Sequence, residues 1–300
     1  MFSIIIPSYN SSGYIKNALD SIAGQTVGVS KVEVIIVDDN SKDIDNLEKI
    51  VSLYKLSYDI KLIRNIKKVN AAVSRNLGIK KARYDIICLL DADDYWDETK
   101  LQTGLDLLEK QYNKHTVIYT RLRRGTHYQI QSGLAEVIPR HEKGNSRALS
   151  DYWFIDKGIT QTSSLIYRKS AFKDILFNEK LNRHQDYDFC LKLESHGAEF
   201  KLDDKSFTNW VILDENIDAV KKGANLEFCK RWLCDYSAYL TEESKNYYIA
   251  RNMLLISLKN KEFLSWLKFL MAQNFKHIPK ILYLSTSLIL QKVFLMIFKK

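Results

Sequence analysis

Three carboxylates, Asp91, Asp93 and Asp94, close the segment Tyr84-Asp-Ile-Ile-Cys-Leu-Leu-Asp-Ala-Asp-Asp94. Acids crowded this closely repel one another, and the cost falls when they share a divalent cation. Asp91 and Asp93 are two residues apart, so on an extended backbone they point the same way and could serve one metal–phosphate centre. The same acids would equally serve as a solvated turn capping the next helix. A second acidic pair, Asp38-Asp39, ends the apolar run Val34–Val37. A third pair, Asp186 and Asp188, opens a helical pattern whose apolar side is Phe189, Cys190 and Leu193. Acids in a first helical turn complement the helix dipole by about 0.3–1 kcal/mol. Capping requires one such acid, and here there are two.

The elements that must position these groups alternate in type. Phe2–Ile6 reads as a strand ending at Pro7-Ser8-Tyr9-Asn10, and a helix follows with Ile15, Ala18, Leu19 and Ile22 on one face. Val32–Val37 is a second strand, followed by a helix with Ile44, Leu47, Val51 and Tyr54 on one side. Asp59–Ile63 is a third strand, Ala71–Lys81 a third helix after the basic stretch Arg64–Lys68, and Ile86–Leu90 a fourth, buried strand. Such alternation predicts right-handed βαβ units, hence an α/β fold with a mainly parallel sheet flanked by helices. Open α/β sheets bind ligands beyond the carboxyl ends of their strands, where these acids stand. Neither GxGxxG nor GxxxxGK[ST] occurs, so a bound diphosphate would need neutralising by other means, and a cation on the acid triplet is the substitute.

With 300 residues, the chain is long enough for one large domain or two smaller ones. Cys88, Cys190, Cys229 and Cys234 show neither a disulfide framework nor paired metal spacing, which favours reduced thiols. No basic region precedes Phe2–Ile6, and that run is too short for a signal peptide, so a cytoplasmic-facing protein is expected. The net charge of +9 is localised: residues 245–300 carry ten Lys or Arg and the single acid Glu262, leaving the rest balanced. Because those cations are interleaved with Leu, Ile and Phe, they point to an anionic membrane surface rather than to nucleic acid.

Four stretches carry a family resemblance: Ile4-Ile-Ile-Pro-Ser-Tyr-Asn10, Val37-Asp-Asp-Asn-Ser41, Ser74-Arg-Asn-Leu-Gly-Ile79 and Leu90-Asp-Ala-Asp-Asp94. In this order and spacing the first hundred residues or so resemble the inverting family 2 glycosyltransferases of GT-A fold, of bacterial polysaccharide type. The resemblance implies that Pro7 and Tyr9 pack against a nucleotide base and that Asp39 accepts a hydrogen bond from it. Arg75 would approach the base or diphosphate, Asp91 the ribose or metal shell, and Asp93 would ligate Mg²⁺ or Mn²⁺ (the DXD motif). Asp186 matches the family's catalytic base, with Asp188 as runner-up; Gln185 departs from the glutamate usual before that base.

On this reading residues 1–215 form the catalytic domain, with a nucleotide-sugar half (1–100) and an acceptor half (101–215). A helical, basic and apolar extension follows at 216–300. Leu101, Leu105 and Leu108 mark a helix leading to a strand at Thr116–Thr120; residues 121–147 read as a basic loop in which Gln129–Ser132 belongs to a hairpin. Gln161–Tyr167 reads as a strand, and the aromatics Tyr152, Trp153 and Phe154 as core or as a sugar-stacking surface. Phe228-Cys-Lys-Arg-Trp232 resembles the QxxRW signature of processive synthases without its glutamine. The longest charge-free stretch, Ile281–Gln291, falls short of the ~20 residues that cross a bilayer. Phe263–Met271 and Leu282–Phe298, rimmed by lysines, fit helices lying in a membrane interface; packing on the core or on a second copy is the alternative. The implied activity is inverting, metal-dependent transfer of a sugar from a nucleotide diphosphate, UDP by family habit, to a hydroxyl of a glycan or lipid-linked glycan. O-antigen, capsule or exopolysaccharide assembly at the inner membrane face would use such a reaction. Two other classes compete: a non-catalytic nucleotide- or glycan-binding module on the same fold, and a nucleotidyltransferase.

Overall fold

The computed structural model describes residues 1–55, 58–111, 113–213, 225–274 and 276–298, with side chains described through 290. The chain divides into two compact units, residues 1–145 with 158–217, and residues 146–157 with 218–300. The boundary expected at 215–216 lies outside the described residues.

In the first unit the expected alternation is present. Strands β1 (Phe2–Ser8), β2 (Val32–Asp38), β3 (Asp59–Arg64) and β4 (Ile86–Leu89) alternate with α1 (Ile15–Ala23), α2 (Ile44–Tyr54) and α3 (Ala71–Lys81). Then come β5 (Tyr95–Trp96), α4 (Lys100–Lys110), β6 (Thr116–Gly125), α5 (His127–Gln131) and β7 (Glu136–Ile138). After α6 (Leu149–Phe154), which belongs to the second unit, follow β8 (Ile166–Arg168), α7 (Gln185–Ser195) and β9 (Glu199–Val211). The sheet order is β3-β2-β1-β4-β8-β6-β9-β5, with β7 on β6. β1 to β4 pair in parallel, as do β6 and β9, while β5, β7 and β8 run antiparallel to their neighbours. Because β8 is antiparallel to both β4 and β6, the carboxyl end of β6 shares a rim with those of β1, β2 and β4.

Alternation sorts the strand side chains onto two faces. Ile4, Ile6, Val34, Ile36, Cys88, Ile118 and Ile166 meet α1, α2 and α4 in one buried core. On the other face α3 lies tight against β1: a Cβ at Gly78 would stand 2.4 Å from Cγ2 of Ile5. Phe177 stacks on Phe189 there at 4.1 Å and Tyr167 meets Phe189 edge-on, which seats α7 over β8.

Four readings differ from expectation. Within Gln161–Tyr167 a 3-10 turn (Thr162–Ser164) precedes a strand that begins only at Ile166, because the serines bond locally: Ser164 Oγ donates to the Gln161 carbonyl at 2.6 Å. The expected basic loop is an extension of β6 to Gly125 with β7 beside it. Gln129 lies in α5 rather than in a hairpin, because Thr126 and Gln129 form a reciprocal capping box. Residues 146–157, inside the expected catalytic span, belong to the second unit. There Phe154 packs edge-on to Trp232 (6.3 Å) and Tyr248 (5.2 Å), so these aromatics are core.

The second unit is otherwise helical, over Leu226–Asp235, Glu242–Tyr247, a π-turn at Tyr248–Met253, Leu254–Lys259, Phe263–Met271 and Ile278–Phe298. Trp232, from the synthase-like stretch, is buried and stacked on Tyr236. Among the described residues no helix is long and apolar enough to cross a membrane. Lys299 and Lys300, expected as part of a cationic rim, lie outside the described residues. No disulfide joins the cysteines; Cys88, Cys190 and Cys229 are buried and Cys234 is exposed.

Candidate active site

The turns after β1 and β2 each hold an asparagine in left-handed backbone, Asn10 (φ 49°) and Asn40 (φ 59°), a conformation asparagine tolerates better than most residues, and Asn10 ties the two ends together. The Asn10 N–H donates to Ser41 Oγ at 2.8 Å and its Oδ1 accepts from the Lys42 N–H at 2.9 Å. Of the acid pair, Asp38 is fully buried and accepts from Ser41, so it holds the turn. Asp39 accepts at Oδ1 from the Val69 N–H (2.8 Å) and from Asn65 Nδ2 (3.2 Å). Asn65 Nδ2 also donates to Ser74 Oγ at 3.1 Å, which joins Asp39 to the helix carrying Arg75. Pro7 is half-buried near the end of β1, and Tyr9 is partly exposed with the Lys68 ammonium 3.5 Å from its ring centroid.

Arg75 is the hub. Its guanidinium is almost wholly buried, donating to Asp91 Oδ1 at 2.5 Å and to Gln185 Oε1 at 2.9 Å. The first bond reaches the end of β4 and the second the start of α7, 110 residues away in sequence. Gln185 is itself fixed, donating to the Leu181 carbonyl at 2.6 Å. Asp186, the next residue, is half-buried, and its carboxyl is held above the usual carboxylate range. Burial is the main cause and the Asp91 charge adds to it, while backbone N–H groups and Arg75 pull the other way. A carboxylate poised above its ordinary range is a better proton acceptor. Asp188, the other candidate, is fully buried and paired with Lys192 (2.9 Å) and the Asn178 N–H (2.7 Å), so it belongs to the scaffold. His184 sits before the helix in left-handed backbone, stacked on Tyr187, and burial beside Arg183 pushes its pKa down to about 3, so it is neutral.

The acid triplet also divides. Asp94 is buried and accepts from Ser163 Oγ (2.6 Å), Gln161 Nε2 (2.9 Å) and the Val211 N–H (3.0 Å). Burial, then the charges of Asp93 and Asp91, push its carboxyl well up. Asp94 is therefore a clamp between the β4 end, the 3-10 turn and β9. Ser163 Oγ accepts in addition from the Asp91 N–H at 2.9 Å. Asp91 and Asp93 stay half-buried at the rim. Among the described residues no group of three or more His, Cys, Asp or Glu has the arrangement of a metal site. Two all-oxygen carboxylates nevertheless suit Mg²⁺ or Mn²⁺, which take one or two protein carboxylates and complete their shells with substrate phosphates and water.

Asp39, Arg75, Asp91 and Asp186 are thus linked along one rim through named hydrogen bonds and charges, with Asp93 beside Asp91. Sequence reasoning passed over Ser163 and Gln161, which hold the triplet, and Asn65, which holds Asp39; polar side chains in turns carry no signal of partners so distant in sequence. Gln185 was visible only as a departure from the expected glutamate.

Residues 3–176 match the family described as Glycosyl transferase family 2. Among curated relatives, the amylovoran biosynthesis glycosyltransferase AmsB of Erwinia amylovora is 32% identical over 259 residues, 85% of this chain and 83% of that protein. The poly(ribitol-phosphate) β-N-acetylglucosaminyltransferase TarS of Staphylococcus aureus (strain Mu50) is 28% identical over 210 residues, which span 69% of this chain but 35% of TarS. The crystal structure of S. aureus TarS in complex with UDP-GlcNAc superposes with a TM-score of 0.65 at 19% identity, covering 94% of this chain and 79% of that one. With a matched α/β architecture, a family match over more than half its length and a relative as close as AmsB, this chain belongs to glycosyl transferase family 2.

Proposed function

We propose that this glycosyltransferase moves a sugar from a nucleotide diphosphate, with UDP as nucleotide, to a hydroxyl of a glycan or lipid-linked glycan, inverting the anomeric configuration. The observation that supports this reading is the Arg75 bridge, which joins Asp91 at the sheet rim to Gln185, the residue before Asp186. Asp186 takes the proton of the acceptor hydroxyl as its oxygen bonds to the anomeric carbon, and the bond from that carbon to the diphosphate breaks on the opposite side. One face reacts and no second nucleophilic carboxylate is needed, hence inversion. Tyr9 and Pro7 flank the base, Asp39 accepts from it, and Arg75 with Asp91 orients the diphosphate end. Asp93, with Asp91 beside it, would hold a divalent cation, which would supply neutralisation of the charge developing on the departing diphosphate. The complex of TarS with UDP-GlcNAc supports UDP as the nucleotide.

The helical unit complements this reading. Phe263, Leu264, Met271, Leu282, Tyr283 and Leu290 are exposed on helices that also carry Lys268 and Lys280. Apolar surface with lysines beside it suits an anionic membrane face, where a lipid-linked acceptor would be presented. Polysaccharide assembly at the cytoplasmic face of a membrane is the setting we propose.

A thermal-shift panel of UDP-, GDP- and dTDP-sugars, each with Mn²⁺ or with EDTA, tests the donor and the cation together. Ligand binding raises stability in proportion to the logarithm of its excess over Kd. A UDP-sugar should stabilise the protein in Mn²⁺ and much less in EDTA. Equal stabilisation in EDTA contradicts the role given to Asp93 and Asp91, and no response to any nucleotide-sugar contradicts the reading as a whole.

A further inference from the structure

The helical unit holds a cavity that the transfer reaction leaves unused. Its walls include Lys157, which follows α6, Tyr247 and Arg251 at the π-turn Tyr248–Met253, and Leu284, Ser287 and Leu288 on the last helix. All of them belong to the second unit. A π-turn is rare and frequently marks a functional site. The cavity measures about 200 Å³. Pockets that enclose a drug-sized ligand run to ~300–1,000 Å³, so this one is too small for a nucleotide-sugar and large enough for a phosphate with its first ester carbons.

Elsewhere in this unit, charges and hydroxyls are engaged. Asp156, next to Lys157, is held by Arg147 through bonds of 2.9 and 3.0 Å. Lys245 pairs with Glu242 at 2.7 Å, and Lys280 with Glu243 at 2.9 Å. On the last helix Ser285 and Thr286 donate back to the Ile281 and Tyr283 carbonyls at 2.7 and 2.9 Å. Among the described residues, by contrast, Arg251 and Lys157 pair with no carboxylate, and the hydroxyls of Tyr247 and Ser287 make no hydrogen bond. Two cations and two hydroxyls thus line one small space beside Leu284 and Leu288. A phosphomonoester brings about 1.5–2 negative charges at pH 7 and three acceptor oxygens, which such a set complements. A carboxylate brings one charge and two oxygens and leaves part of the set unmatched. Ser287 is flanked on the helix surface by Tyr283 and Leu290, four residues before and three after it, and these are 73% and 68% exposed. Apolar surface therefore runs up to the Ser287 wall.

We infer that Arg251 and Lys157, with the hydroxyls of Tyr247 and Ser287, form a subsite for a phosphomonoester. Two sources share that chemistry, a lipid ending in phosphate and free phosphate, and the apolar approach favours the lipid. The subsite is independent of the donor reading; only its lipid-borne ligand rests on the membrane setting proposed above.

Calorimetry on the full chain tests it with three soluble probes: dihexanoyl phosphatidic acid, dihexanoyl phosphatidylglycerol and inorganic phosphate. Phosphatidic acid, a monoester, should bind at least about tenfold more tightly than the diester phosphatidylglycerol. Tighter binding of phosphatidic acid than of inorganic phosphate assigns the lipid, and binding of inorganic phosphate as tight or tighter assigns free phosphate. Arg251→Gln should remove most of the binding, and Arg251→Lys, which keeps the charge without the planar fork, should restore part of it. Circular dichroism melts establish folding; if Arg251→Gln does not fold, Lys157→Gln, a change at an exposed residue, must still weaken binding. No binding of either monoester, phosphatidylglycerol binding as tightly as phosphatidic acid, or a folded Arg251→Gln with its affinity intact overturns the subsite. Flotation with vesicles of phosphatidylcholine and phosphatidylglycerol separates the two levels. Flotation without calorimetric binding overturns the subsite and leaves the membrane setting standing, whereas Arg251-dependent binding without flotation upholds the subsite and overturns that setting.

Discussion

The acids after β4 and the acids opening α7 are alike in sequence and differ in how the fold uses them. Each cluster surrenders one carboxylate to structure and leaves the others at the rim. In the triplet, Asp94 is consumed by three neutral donors from Gln161, Ser163 and Val211, under the repulsion of Asp91 and Asp93. In α7, Asp188 is consumed by a full charge, Lys192, and one backbone N–H. The lesson is that spacing proposes a set of acids, while the donors supplied from elsewhere decide which of them is left to do chemistry.

Substitutions can break or sharpen this comparison. The largest effect is expected for Asp93→Ala, with transfer falling by about 10²–10³-fold and Mn²⁺-dependent stabilisation by donor lost, as when a charge-stabilising group is removed from a transition state. Its urea midpoint should not fall, because the change also relieves the repulsion on Asp94; a large drop would assign Asp93 to the scaffold. Asp94→Ala strands three buried donors and should lower unfolding free energy by about 2–4 kcal/mol, measured by urea denaturation. Asp188→Ala should cost less, about 1–3 kcal/mol, because Lys192 is partly exposed and can turn to water. Equal costs at Asp93 and Asp94, or at Asp186 and Asp188, would dissolve the distinction.

A smaller effect concerns pH. Asp186 must be deprotonated to accept a proton, and its pKa is raised, so transfer should climb with pH through a limb above the ordinary carboxylate range. Gln185→Glu places a second negative charge next to the base and gives Arg75 a second carboxylate partner. Both the added charge and the weaker pull of Arg75 move the limb to higher pH; a limb unmoved by Gln185→Glu would mean that Asp186 does not set it.

The nucleotide half was legible because its strands are short apolar runs that end in turn residues and α1 and α2 each carry one apolar face, and Ala71–Lys81 forms the expected helix to the residue. The acceptor half was less so. Thr126 and Gln129 do spell a capping signal, but Arg121, Arg123 and Arg124 read as loop because arginines on a strand blur its alternation. The division of labour among the acids was not legible at all. Asp94 finds its partners 67 to 117 residues further along, and Asp188 and Asp186 differ only in the direction the first turn of α7 presents them. Inclusion of 146–157 in the helical unit was hidden for the same reason, since an aromatic triplet does not announce which rings it will meet.

The central claim is that one carboxylate, Asp186, accepts the acceptor proton beside a separately bound donor. Transfer from the UDP-sugar found by thermal shift, measured for Asp186→Asn together with calorimetric donor affinity, tests it most directly. The account expects transfer to fall by about 10²–10⁴-fold with donor Kd changed less than about threefold. Transfer surviving near the rate of the unaltered protein would contradict it.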